Sequence, residues 1–198
     1  MKTKNVSLTE GSIWKNLTLF AIPILLGQVF QQLYNTADAW IVGHFRSNSE
    51  YAAVTSTGSL VFLLIGFFSG IAVGAGVVIA RYYGAKDKEK LDSAIHTTVA
   101  FGLICGVVLS VVGVLLTPAI LRLMQTDESY IQYSIEYFRD YFLGALSNVM
   151  YNLGMGVLRA VGNSKSPLYY LIISSLVNIG LDYLFVGVFD WGVWSAAL

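Results

Sequence analysis

The sequence predicts an all-α, polytopic membrane protein, and three observations carry that prediction. Of 198 residues, 56% are hydrophobic and 12% are charged, whereas a soluble domain averages about 25% charged. Mean hydropathy is correspondingly high, at +0.65. Five stretches each supply the ~20 mainly apolar residues that a membrane helix needs. Successive connections between them alternate between rich and poor in Lys and Arg.

The five predicted spans are Leu17–Phe45, Ala52–Ala80, Ala94–Leu116, Tyr137–Leu158 and Leu168–Phe189, with a sixth beginning at Gly192–Leu198. Residues 1–16 are expected to form a cytoplasmic amino-terminal segment and 17–198 one transmembrane bundle. Helices of a water-soluble bundle would each carry a charged face, but Ala52–Ala80 contains no charged residue. The first span is longer than the ~7–15-residue core of a signal peptide and carries Gln and Asn through its middle, so it is read as a permanent helix. Glu128–Asp140 mixes Tyr, Ile and charges and is read as an interfacial lead into the fourth span. Ending at the start of a sixth crossing, the chain is expected to be part of a longer polypeptide.

Orientation follows from the basic residues. Lys2, Lys4, Lys15, Arg81, Lys86, Lys88, Lys90, Arg159 and Lys165 fall on one side, and Arg46, Arg122 and Arg139 on the other. The richer side is expected to be cytoplasmic, which places the amino terminus inside, in a plasma-membrane protein with lipid as its surroundings. Trp14, Trp191 and Trp194, with Tyr82, Tyr83, Tyr169 and Tyr170, stand at span ends, where interfacial aromatics are favoured. With 12 basic and 12 acidic residues the net charge is zero, and no nucleic-acid partner is expected.

Small residues come first in packing. Gly66, Gly70 and Gly74 share a face of the second span, and Gly102 and Gly106 a face of the third. Such seams are expected to let helices approach closely where lipid gives no hydrophobic drive for association. Pro23 removes a backbone hydrogen bond inside the first span and is expected to kink or weaken it.

Charge inside a bilayer costs about 2.5–3.5 kcal/mol on insertion scales, so an intramembrane acid marks a candidate site. Asp38 and Asp182 lie at similar depths below the outer ends of the first and fifth spans. Asp38 continues a polar stripe of Gln28, Gln31, Gln32 and Asn35, and Asp182 continues Ser174 and Asn178 at four-residue spacing. Asn148, Tyr151 and Asn152 share one side of the fourth span. Interhelical hydrogen bonding would account for Gln and Ser alone, but the acids point to a cavity. No Lys or Arg lies mid-span to neutralise them, so their counterion is expected to be a proton, a metal ion or a cationic substrate.

Catalytic constellations are not found, and an enzyme is not expected. His44 and His96 lack His or Cys neighbours at metal-binding spacing. The single Cys105 offers no disulfide framework, and no mid-membrane His stands ready to activate a Ser nucleophile. No cofactor is expected.

Several motifs resemble those of the multidrug and toxic compound extrusion (MATE) transporters. Ala21-Ile22-Pro23-Ile24-Leu25, Asn35-Thr36-Ala37-Asp38 and Ile41-Val42-Gly43 are similar to the family's first helix. Gly74 through Gly84-Ala85 resembles the end of the second helix, Arg159–Lys165 the loop between helices four and five, and Asn178–Tyr183 the fifth helix. Gly192–Leu198 resembles the opening of helix six, with Ser195 where Gly is usual. The resemblance implies twelve helices in two six-helix bundles around an alternately open cavity, of which this chain would supply the amino-terminal one. It implies Asp38, Asn178 and Asp182 as the cation or proton site, a further ligand on helix six beyond Leu198, and export of cationic amphipathic compounds in exchange for Na⁺ or H⁺. The carboxy-terminal bundle would be an obligatory partner, so these residues alone are expected not to transport. A lipid-linked oligosaccharide flippase of the same superfamily is the alternative. Its anionic lipids would call for a basic cavity, whereas the candidates here are acidic and neutral.

Overall fold

The computed structural model describes residues 11–45 and 47–189. Among them the regular elements are all helical: α1 Ile13–Phe45, α2 Asn48–Gly84, α3 Lys88–Leu123, α4 Ile131–Leu143, α5 Ala145–Ala160 and α6 Lys165–Asp182. Helix α6 runs directly into a π-helical turn, Tyr183–Val188. Four helices are long and apolar enough to cross a membrane: α1, α2, α3 and α6 with its π turn. The sixth-helix start expected at Gly192–Leu198 lies outside the described residues, as do Lys2, Lys4, Arg46, Trp191 and Trp194.

The helices overrun their apolar spans because capping side chains set the ends. At the start of α2, the Ser47 hydroxyl accepts the Glu50 N–H at 3.3 Å and the Glu50 carboxylate accepts the Ser47 N–H at 3.1 Å. This reciprocal box satisfies two amides that the first turn leaves free. The turn into α3 takes only Ala85–Asp87, with Lys86 in the left-handed region at φ 57°. There the Asp87 carboxylate accepts the Lys90 N–H at 3.1 Å and pairs with the Lys90 ammonium at 3.2 Å. Those contacts, the backbone bond foremost, hold the exposed Asp87 carboxyl below its usual range.

The fourth span is not the single helix expected at Tyr137–Leu158. It consists of α4 and α5, meeting at Gly144, and neither is long enough to cross alone. Gly144 has ψ −5°, well away from the helical value of about −42°. The chain nonetheless stays hydrogen-bonded through it, from the Gly144 N–H to the Asp140 carbonyl at 3.2 Å and from the Asn148 N–H to the Gly144 carbonyl at 3.1 Å. The Tyr- and charge-rich lead is mostly α4 itself, which buries Ser134, Tyr137, Phe138 and Phe142. Hydropathy under-reads such a segment because its polar face dilutes the average.

Two packing groups result. Helix α1 lies along α6, while α5 and α4 pack against α2 and α3. Phe68, Ala72, Val149 and Leu153 form one core cluster between α2 and α5, and Phe138, Phe142 and Ala145 form another. Large apolar side chains otherwise face outward, among them Phe62 at 80% and Leu115 at 71% exposure. A soluble surface does not tolerate contiguous apolar patches of that extent; lipid and neighbouring helices do. The chain is an integral membrane protein.

Close helix approach occurs only partly where the glycine pattern placed it. Gly102 and Gly106 are buried against α5, and a Cβ on Gly106 would sit 3.0 Å from the Leu146 Cα. On α2, however, Gly66, Gly70 and Gly74 are not a contact seam: nothing among the described residues lies within 4 Å of a Cβ built on them. The face toward α5 is offset around the helix, at Phe68, Ala72 and Gly76. It is Gly156 of α5 that permits the approach, since its Cβ would come within 2.9 Å of the Ala72 carbonyl oxygen. Spacing alone defined a small-residue face but not which face meets a partner. Gly156→Ala is therefore expected to destabilise this chain in detergent by about 1–3 kcal/mol. Gly70→Ala should be neutral or stabilising, because it relieves helix entropy without a clash; thermal unfolding of the two variants side by side checks the opposite signs.

Candidate functional site

The ends of α1 and α6 are tied together, and that junction builds the site. Phe45, the last residue of α1, sets its ring edge-on to Tyr183 at 5.9 Å between centroids. It also lies against Gly187, where a Cβ would be 3.4 Å from the Phe45 ring. Val186 of the same π turn is fully buried. Farther down α1, Gly27 meets Leu171 and Leu168 of α6. With the two helices held along their length, Asp38 of α1 and Asp182 at the end of α6 bring their carboxyls into hydrogen-bonding contact.

The pair is short of partners. Asp182 is 3% exposed. Asp38 Oδ1, Asp182 Oδ2 and Asn178 Oδ1 are all buried with no hydrogen-bond partner among the described residues. Asn178 stands one turn before Asp182 on the same face of α6. Among the described residues no basic side chain acts on either carboxyl; the charged group each one feels is the other. Three orphaned oxygens, two from acids and one from an amide, match the preference of hard cations for oxygen ligands. No cluster of three His, Cys, Asp or Glu occurs among the described residues.

Tyrosines that sequence reasoning had not singled out complete the surroundings. Tyr137 of α4 is buried, packs with Val42 one turn beyond Asp38, and lies within electrostatic reach of both Asp38 and Asp182. Tyr34 hydrogen-bonds the Gln31 side chain and lies near Asp38. The signal was present: Ser134, Tyr137, Phe138 and Tyr141 recur at three- and four-residue intervals on one face of α4. Reading that stretch as an interfacial lead concealed it.

The remaining cavity candidates divide. Asn148 and Asn152 are joined to α2: the Asn152 amide donates to the Asn148 carbonyl and side-chain oxygens at 2.9 Å each, and the Ser69 hydroxyl donates to the Asn152 side-chain oxygen at 3.2 Å. Those two residues serve at least as an interhelical clasp. Gln31 is half-buried, whereas Gln28, Gln32, Asn35, Tyr151 and Ser174 are exposed. Pro23 is buried inside α1, which continues through it.

With this geometry in place, the family model described as MatE matches residues 23–184. The chain belongs to the MatE family. It is 38% identical over 193 residues to the probable multidrug resistance protein YoeA of Bacillus subtilis (strain 168), an alignment covering 96% of this chain and 42% of that protein. It is 24% identical to the multidrug export protein MepA of Staphylococcus aureus (strain MRSA252), covering 100% of this chain and 44% of MepA. Among solved structures, a MOP superfamily transporter from Pyrococcus furiosus Vc1 (DSM3638), described by the reverse polarity of its binding pocket, superposes with a TM-score of 0.91. It shares 31% identity, over 100% of this chain and 43% of its own. An outward-facing multidrug resistance MATE transporter superposes with a TM-score of 0.88 at 31% identity, over 100% of this chain and 44% of its own. The chain thus spans less than half the length of each of these proteins, of which the two solved structures are named as transporters.

The contact between α1 and α6 is directly testable. With Cys105 replaced by Ala, cysteines at positions 38 and 182 should be joined by a short bifunctional thiol reagent, while cysteines at the exposed position 32 and at 182 should not.

Proposed function

We propose that this chain forms one bundle of a secondary antiporter that exports cationic amphipathic compounds in exchange for Na⁺ or H⁺. The amino terminus is assigned to the cytoplasm of a plasma-membrane protein, on the Lys and Arg bias of the connections. The single observation that carries the proposal is the Asp38–Asp182 pair, with no base beside it among the described residues and with buried, unpartnered oxygens.

The physics runs from charge to coupling. Two carboxylates in contact repel by roughly 4 kcal/mol even at an effective dielectric of 20, so both do not stay ionised unless a cation joins them. Asp38, Asp182 and Asn178 would receive that cation, and a proton would serve by neutralising one acid. Asp38 is borne on α1 and Asp182 on α6, so occupancy sets whether the two helices attract or repel at this level. Alternating access needs such a term, one that favours different arrangements of bundles with and without the coupling ion. Gln28, Gln31, Gln32, Asn35, Tyr151 and Ser174 would face the substrate path, with Asn148 and Asn152 at its edge, and the acidic character would favour cationic cargo. Export of an anionic lipid-linked sugar would be disfavoured by the same charges.

In the complete polypeptide reconstituted into proteoliposomes, Asp38→Asn and Asp182→Asn should each reduce gradient-driven efflux of a cationic dye at least 10-fold, a loss of about 1.4 kcal/mol or more. Asn178→Ala should weaken cation dependence less, because it removes a neutral ligand. Wild-type rates in either acid variant, or flipping of anionic lipids with no dye export, would overturn the reading.

A further inference from the structure

Away from the acid pair, α2 and α3 meet at their short connection, Ala85–Asp87. A groove of about 390 Å³ opens there, lined by Ala75, Val78 and Tyr82 of α2 and by Lys90, Ser93, Ala94, Thr97 and Thr98 of α3. Its volume lies within the ~300–1,000 Å³ of small-molecule sites. Helix α5 packs on a different face of α2, through Ala72 and Gly76, roughly a quarter-turn around the helix from Ala75, Val78 and Tyr82.

Polarity changes along the groove in one direction. Lys90, Tyr82 and Ser93 line the end near the charged turn. Lys90 is paired with Asp87 at 3.2 Å, but an ammonium has three donors and this pairing leaves others available. Deeper in, the threonines present methyl groups, because the Thr97 hydroxyl donates to the Ser93 carbonyl and the Thr98 hydroxyl to the Ala94 carbonyl, both at 2.8 Å. Ala75, Val78 and Ala94 complete an apolar floor. The turn carries Arg81, Lys86, Lys88 and Lys90 against Asp87, Glu89 and Asp92, a net positive rim at the boundary between apolar span and water.

We propose that this groove binds one phospholipid with an anionic headgroup, its phosphate at Lys90 and Ser93 and an acyl chain along Val78, Ala94 and Thr98. The polar-to-apolar order along the groove matches the order of a glycerophospholipid from surface to bilayer interior. The excess of cations at the rim favours anionic over zwitterionic headgroups, since each Lys or Arg near a membrane surface contributes about 1 kcal/mol toward anionic lipid.

The test uses the complete polypeptide, delipidated in detergent and titrated with phosphatidylglycerol, phosphatidylcholine or inorganic phosphate, with bound lipid counted by native mass spectrometry. Phosphatidylglycerol should be retained in preference to phosphatidylcholine, and phosphate should not displace it. Lys90→Gln should weaken phosphatidylglycerol binding about fivefold and leave phosphatidylcholine unchanged. Thr98→Trp, which fills the apolar end, should reduce retention of both lipids, and Lys165→Gln, outside the groove, should change neither. Equal retention of the two lipids, displacement by phosphate, or binding indifferent to both groove substitutions would overturn the proposal. So would protection of Lys90 by a second copy of the chain without lipid.

Discussion

The structure depends most on the meeting of two carboxyls, Asp38 and Asp182, inside an apolar bundle with no basic partner among the described residues. In hydrocarbon an unpaired charge is costly, and two like charges in contact are costlier still. The chain nonetheless places them together and backs them with a third orphaned oxygen, from Asn178. Packing explains how this is enforced. The π turn after Asp182 clamps Phe45 through Tyr183 and Gly187, and Gly27 admits α6 lower down. In the antiporter reading, a bound cation or a proton would relieve the repulsion between the two acids.

That constraint organises the rest. Helices α2 to α5 are joined by apolar clusters and close glycine contacts, with the Ser69–Asn152–Asn148 chain as a polar clasp. The α1–α6 pair adjoins this group through fewer contacts, Tyr137 against Val42 among them. The acid pair thus sits in the less tightly held part of the bundle, and Tyr137, near both acids, links it to α4. In the antiporter reading, this is how ion occupancy would reach the shape of the substrate path.

Much of this was legible in the sequence. Spans of apolar residues found α1, α2, α3 and α6, because lipid demands composition before packing. Equal depth and four-residue spacing singled out Asp38, Asn178 and Asp182; the structure brings the two acids together and leaves an oxygen of each, and one of Asn178, without a hydrogen-bond partner among the described residues. What sequence reading missed depends on neighbours. Gly144 does not announce that its ψ splits the fourth span in two. The glycine stripe of α2 gave no sign that α5 approaches at Ala72 and Gly76 instead of Gly66, Gly70 and Gly74. Tyr137 was hidden in an amphipathic segment whose mean hydropathy is low. The caps at Ser47 and Asp87 extend helices into the interface, where hydropathy carries no signal.

The most direct measurement is a proton balance on the purified complete polypeptide, comparing wild type with the Asp38→Asn, Asp182→Asn double variant across pH, with and without Na⁺. If the acid pair must be neutralised, wild type will take up at least one proton that the double variant lacks, or will bind Na⁺ in its place. If the two titration curves superimpose and neither protein binds Na⁺, the paired carboxyls do not hold the coupling ion and the account fails.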